Sequence, residues 1–242
     1  MNVSSRHDRH HHTRSSIARL LGAAVVTTSV ALPSASTLIA SASADPCPDI
    51  EVTFARGTDE PPGVGAVGQE FIDALRSQVR GRSLGVYAVN YPAGDDLAPS
   101  ASAGANDAHA HVRSMVANCP NTKLVLGGYS QGAGVIDLTT ISRAPILGLM
   151  PDILTADEAA HVAAVATFGN PSDRILGAPV NVLSDWYGAK AIDLCAPGDP
   201  VCTPGGPALT LPTHDELFSP AHLSYRQSGM PNQAATFVAS HL

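Results

Sequence analysis

Leu124-Val125-Leu126-Gly127-Gly128-Tyr129-Ser130-Gln131-Gly132-Ala133-Gly134 passes from an apolar strand into a helix through a serine flanked by glycines. The pentad Gly128–Gly132 is a G-x-S-x-G, and strand before with helix after is the context in which that motif carries a nucleophile. A sharp strand-to-helix turn strains the serine backbone and crowds the positions two residues to either side, so Gly128 and Gly132 remove Cβ atoms that would collide. Gly134 is expected to let the helix pack close to the sheet. Ser130 Oγ then projects from the sheet edge, with the positive end of the new helix beneath any oxyanion that develops.

Outward from this turn, short β-branched runs alternate with helical patterns. Ile50–Phe54, Leu84–Val89, Lys123–Tyr129, Val162–Phe168 and Ala191–Cys195 read as strands. Residues 64–80 and 104–118, a stretch beginning near Gln131, and Pro231–His241 read as helices. That alternation predicts one α/β domain, a doubly wound three-layer sandwich with a central, mostly parallel five-stranded sheet. Such sheets bind ligands outside the carboxyl ends of their strands, which is where the motifs below fall.

The chain has 242 residues, 44% hydrophobic and 14% charged, with a formal charge of −7. This excludes disordered, coiled-coil and collagen-like classes, and the acidic balance excludes a nucleic-acid partner. Residues 1–44 read as an export signal: Arg6, Arg9, Arg14 and Arg19, an apolar run from Leu20 to Leu32, then Ala42-Ser43-Ala44 as cleavage site. The run is too short to span ~30 Å of bilayer comfortably, so no stable membrane insertion is expected after cleavage. His7 and His10–His12 leave with this segment. Losing its four arginines and Asp8 leaves 10 basic and 20 acidic residues in 45–242, a charge of −10. Export places Cys47, Cys119, Cys195 and Cys202 in an oxidising compartment. Cys195 and Cys202 are close enough to clip a short loop, which leaves Cys47 to reach Cys119.

Serine needs a general base held by a carboxylate, in the chain order Ser, acid, His. His109 and His111 precede Ser130 and read as surface positions; His161 precedes any suitable acid loop. His241 sits in a terminal helix, and His214 and His222 sit in the last loop. Asp199, in Cys195-Ala196-Pro197-Gly198-Asp199-Pro200-Val201-Cys202, is the best-placed acid. Asp193, inside the last strand, competes with it.

Residues 45–242 resemble the cutinase family, specifically the secreted cutinase-like esterases of actinobacteria. The resemblance rests on Phe54-Ala55-Arg56-Gly57-Thr58, the Gly128–Gly134 turn, the Cys195–Cys202 loop and Ala221-His222-Leu223-Ser224-Tyr225. It implies Ser130 as nucleophile, His222 as base (with His214 as second choice) and Asp199 as orienting acid. It further implies an oxyanion hole from the backbone N–H groups of Thr58 and Gln131, and it repeats the cysteine pairing above. Arg56 is expected to form a structural salt bridge behind its loop. The stretch Thr203–Ala221 is longer than the family's usual connection. It carries Leu209, Leu211, Leu217 and Phe218, either as a flap over an acyl chain or as surface elaboration. Ile146–Leu154 is a second apolar stretch, either lining the site or packed under its own loop.

These readings predict a monomeric carboxylic-ester hydrolase acting on short- to medium-chain acyl esters, in a lipid, a polyester or an acylated cell-wall component. No metal or organic cofactor is expected. The alternatives are acetylxylan esterase, thioesterase or acyltransferase chemistry on the same triad, or a non-catalytic secreted binding protein.

Overall fold

The computed structural model describes residues 47–203 and 209–242, and residues 1–44, expected to be an export signal, lie outside these residues with their histidines. The first half runs β1 (Ile50–Ala55), α1 (Gly65–Gln78), β2 (Leu84–Ala88), α2 (Leu97–Asn118), β3 (Lys123–Tyr129) and α3 (Gln131–Thr140). The second half runs α4 (Ala156–His161), β4 (Val162–Phe168), α5 (Ser172–Ile175), α6 (Val180–Leu183), β5 (Ala191–Leu194), α7 (His214–Leu217) and α8 (Met230–Ala239). The sheet order is β2-β1-β3-β4-β5 and every pairing is parallel. The expected five-stranded α/β sandwich is therefore present, parallel throughout.

From β1 the chain winds outward to β2, then returns to the other side of β1 to lay down β3, β4 and β5. The loops leaving β1 and β3 diverge there, at the crevice where open α/β sheets bind ligands. Thr58 follows β1 and Ser130 follows β3, so topology alone brings the two loops together.

The two faces are packed differently. Phe54 of β1, Phe71 of α1 and Phe168 of β4 stand 6.0–6.4 Å apart, ring centre to ring centre, in a core closed by α8 through Ala234, Ala235 and Val238. Each such large side chain contributes roughly 1.5–3 kcal/mol on burial. On the other face α2 and α3 meet through small and medium residues, among them Ala101, Ala105, Ala108, Val135 and Leu138. Small residues also explain why α2 begins at Leu97, seven positions before the expected 104. Pro99 is tolerated in the first turn, and buried Ser100, Ala101, Ser102 and Gly104 give little hydrophobic periodicity to read.

Both disulfides pair as expected, with Cα–Cα distances of 5.5 Å for Cys47–Cys119 and 5.7 Å for Cys195–Cys202. In the chain-entropy account they contribute about 4 and about 2.5 kcal/mol respectively.

The histidines of α2 depart from their expected surface positions. His109 is buried, its Nδ1 2.7 Å from Asp152 and its Nε2 3.0 Å from Glu158. The His111 ring stacks on Tyr87 at 3.5 Å and its Nε2 lies 2.6 Å from Glu51. Their partners sit on other elements, so no local pattern announces them. Among the described residues, no helix is long and apolar enough to cross a membrane.

Candidate active site

Ser130 sits at φ 56° and ψ −120°, a strained conformation for a residue with a Cβ. Its N–H bonds Phe168 O at 2.9 Å, which ties the turn to β4. A Cβ on Gly128 would run into the Gly132 backbone, and one on Gly132 into the Ala55 carbonyl. Gly134 differs from its expectation: a Cβ there meets only Pro171 Cγ, at 3.8 Å, so close packing does not demand glycine.

His222 Nε2 lies 2.8 Å from Ser130 Oγ, and its Nδ1 lies 2.8 Å from Asp199 Oδ2. All three residues are buried. Asp199 also accepts hydrogen bonds from Tyr225 OH at 2.6 Å and Val201 N–H at 2.9 Å. Burial alone would raise its pKa. The hydrogen bond and charge of His222, with the Tyr225 and Val201 bonds, outweigh that and hold the carboxyl below its usual range.

Tyr225 closes the Ala221–Tyr225 motif, and its spacing of three from His222 carries the signal of a shared role. Residues 222–227 form a 3₁₀ helix, in which positions three apart eclipse, so Tyr225 lies beneath His222 and reaches the same carboxylate. Tyr129 supports the imidazole from another side. Its ring stacks on His222 at 5.2 Å, and its hydroxyl donates to His222 O at 2.7 Å. The ring edge also lies against Gly169, where a Cβ would meet His222 Cε1 at 2.8 Å.

His214 has a largely exposed side chain at the start of α7, with Asp215 as its ion partner at 3.8 Å. It takes no part in the Ser130 relay. His241 is engaged by Phe237 O and Ala189 O. Asp193 bonds Thr167 Oγ1 at 2.7 Å within the sheet, away from the imidazole.

Thr58 and Gln131 are also brought together. Gln131 Nε2 approaches Thr58 Oγ1 at 3.4 Å and bonds Gly94 O at 2.9 Å, while its Oε1 accepts from Ser100 Oγ at 2.8 Å. Gln131 is the first residue of α3, so its backbone N–H has no intrahelical acceptor. The Thr58 loop is held from behind by Arg56. In place of the expected salt bridge, its guanidinium bonds the carbonyls of Glu60, Tyr91 and Pro92 at 2.7–3.1 Å. The Glu60 carboxylate instead receives Gly57 N–H and Ala66 N–H. Arg56 thus supplies donors to the loop carbonyls while Glu60 supplies acceptors to its N–H groups.

Ser130 divides two cavities. On one side lies an apolar pocket of about 30 Å³ lined by Leu97, Ala101, Leu149, Ile175, Leu211 and Leu217. On the other is a wider groove of about 260 Å³ between the Thr58 loop and Leu217, Phe218 and Leu223. Leu211, Pro212 and Leu217 come from the long 203–221 connection, which is therefore a wall of the pocket and not surface elaboration alone. Arg174 clamps that wall through a two-pronged pair with Glu216 at 2.7 and 2.9 Å, and Leu209 N–H bonds Arg174 O. The Arg174 hydrogen bond, despite partial burial, brings the Glu216 pKa down to about 2. In the 146–154 stretch the roles are split: Leu149 lines the pocket and Leu154 belongs to the core.

Among the described residues, the one close trio of potential metal ligands is Cys195, Asp199 and Cys202, and both sulfurs belong to a disulfide.

Residues 46–242 match the family model described as Cutinase. The carboxylesterase Culp1 of Mycobacterium tuberculosis (strain ATCC 25618 / H37Rv) is 50% identical over 235 residues, covering 95% of this chain and 98% of that protein. The phospholipase Culp4 of the same strain is 48% identical over 196 residues, covering 81% of this chain and 80% of its own. Among solved structures, Trichoderma reesei cutinase in complex with a phosphonate inhibitor superposes with a TM-score of 0.61 at 36% identity. That match covers 81% of this chain and 77% of the fungal one.

Proposed function

Because the chain belongs to the cutinase family and is a carboxylesterase, we propose that it is an exported serine esterase whose nucleophile, base and acid are Ser130, His222 and Asp199. The observation that carries this reading is the continuous relay from Ser130 Oγ through His222 to Asp199, 2.8 Å at each step. Asp199, held ionised, accepts from His222 Nδ1–H and so leaves Nε2 free to take a proton.

Ser130 Oγ bonds to the ester carbonyl carbon as His222 Nε2 takes its proton. The carbonyl electron pair moves onto oxygen, which the backbone N–H groups of Gln131 and Thr58 receive. When the tetrahedral centre collapses, the C–O bond to the alcohol breaks and His222 returns the proton to the departing oxygen. Water, deprotonated by the same imidazole, then attacks the acyl-serine and releases the acid with Ser130 restored. A short- to medium-chain acyl group fits the apolar side of Ser130, and the alcohol leaves by the wider groove beside Thr58.

The signal-like residues 1–44 and the two disulfides support an extracellular location for a single domain spanning 45–242. The test is an organophosphonate that reacts only with an activated serine. Wild-type protein is expected to carry one adduct, on Ser130, and Ser130→Ala none. An unlabelled wild type overturns the reading.

A further inference from the structure

We infer that the acyl pocket is not blind but continues along α3 as an apolar seam that admits a long, linear acyl chain, with Gly134 setting the length accepted. This rests on the Ser130 reading above and names the substrate class it would take.

The pocket beside Ser130 shares Gly134, Leu149, Pro171 and Ile175 with a second narrow cavity of about 20 Å³. The second shares Ser142, Ile146 and Leu176 with a surface recess of about 430 Å³ bounded by Arg143, Pro145 and Leu183. On α3 and its flanks the lining positions include Gln131, Gly134, Asp137, Leu138 and Ser142, the three- and four-residue spacing of one helix face. The path from Ser130 to Ser142 covers a dozen residues, roughly 18 Å at ~1.5 Å per residue. An extended alkyl chain built on ~1.5 Å bonds advances about 1.3 Å per carbon, so roughly fourteen carbons reach the recess. The two narrow cavities hold only about one or two waters each, which suits a single file of methylenes.

Three features make this passage specific. Gly134 has neither a positive φ nor a crowded Cβ position, yet it stands bare in the middle of a buried helix; its missing side chain leaves the path open. The facing wall is carried on a tight turn, in which Ile146 and Leu149 bond each other's backbones around Leu147 and Gly148. Leu147 at its tip is exposed. The polar groups along the seam are Asp137, Ser142 and Ser172. Burial, with the charge of Asp193 beside it, pushes the Asp137 carboxyl well up against the opposing hydrogen bond from Asn170 at 3.3 Å, which disfavours a charge at that point of the seam.

The test is kcat/KM on p-nitrophenyl esters from two to sixteen carbons, for wild type, Gly134→Leu and Ile146→Trp. Wild type is expected to gain through about fourteen carbons. Gly134→Leu should impose a cut-off near five carbons, since its position lies only about 6 Å along the helix from Ser130. Ile146→Trp should impose one near ten. With each buried methylene worth about fourfold, the dodecanoyl-to-acetyl ratio falls by at least ~100-fold in Gly134→Leu. One cut-off shared by all three proteins overturns the seam and leaves its middle as a solvent void around Asp137 and Ser172. A wild type inactive at every length instead overturns the esterase reading itself. A crystal structure of the wild-type dodecylphosphonate adduct decides the matter should either variant fail to fold. Its alkyl chain is expected along α3, and a chain lying in the Thr58 groove refutes the inference.

Discussion

Asp193 and Asp199 lie six positions apart on the same stretch of chain, one inside β5 and one in the loop that follows. Asp199 is the more deeply enclosed, with no accessible surface, yet its carboxyl is held below the usual range. Asp193 is only half-buried by surface exposure, yet its pKa is pushed up to about 7. Desolvation pushes both carboxyls up and is the largest influence on Asp193, so accessible surface alone does not decide the charge state. Donors do: Asp199 gathers His222, Tyr225 and Val201 N–H, whereas desolvation of Asp193 is opposed by little more than Thr167, with Asp173 adding repulsion. Beside it Asp137, buried next to Asn170, is likewise raised. The sheet end thus holds a charged acid aimed at an imidazole and a group of acids that favour the neutral form.

The sharpest way to break this contrast is to neutralise each acid in turn. Asp199→Asn is expected to lower kcat by about 10⁴-fold, because an amide no longer fixes the productive imidazole tautomer. Asp193→Asn should leave kcat within a few-fold of wild type; equal losses in steady-state assays would erase the distinction. Next in size is the Cys195–Cys202 clip. Replacing both cysteines with serine should cost about 2.5 kcal/mol in urea unfolding. It should also lower kcat about tenfold or more, and full activity without the clip would show that Asp199 is positioned by other means.

Tyr225→Phe removes one donor from Asp199 and the acceptor of Ala196 N–H. A loss of roughly 1–3 kcal/mol in stability is expected, with a several-fold fall in kcat and little change in KM. The effect farthest from catalysis is on pH dependence. The folded pKa of Asp193 lies above its unfolded value of 3.8, so its stabilising contribution is complete below that value and is lost as pH rises through about 7. Urea midpoints for wild type should decline from pH 5 to pH 8, and Asp193→Asn should flatten part of that slope.

Most of the fold was legible because strands and long helices declare themselves through period. All five strands fall within one residue of their expected ends, and α1 and α8 within two. The serine turn, the acid loop and His222 were readable because each motif concentrates its chemistry within a few residues. The supports were not. His109 meets carboxylates 43 and 49 positions away, and Tyr129 reaches the His222 carbonyl across 93. The Arg174 clamp on Glu216 spans 42 positions and leaves no local pattern to read. Gly134 shows the converse error: a motif glycine explained by packing has space around it.

Tyr225 belongs to two structures at once. Its ring meets Phe168 edge-on at 6.3 Å within the α1/α8 core, while its hydroxyl sits on Asp199. Loosening of that core therefore withdraws a hydrogen-bond donor from the proposed catalytic acid in the same event, so chemistry and cooperative unfolding are expected to share one transition. Heat inactivation should then superpose on the loss of the fold, with no populated state that is packed but inert. The enzyme's working range ends where its core does.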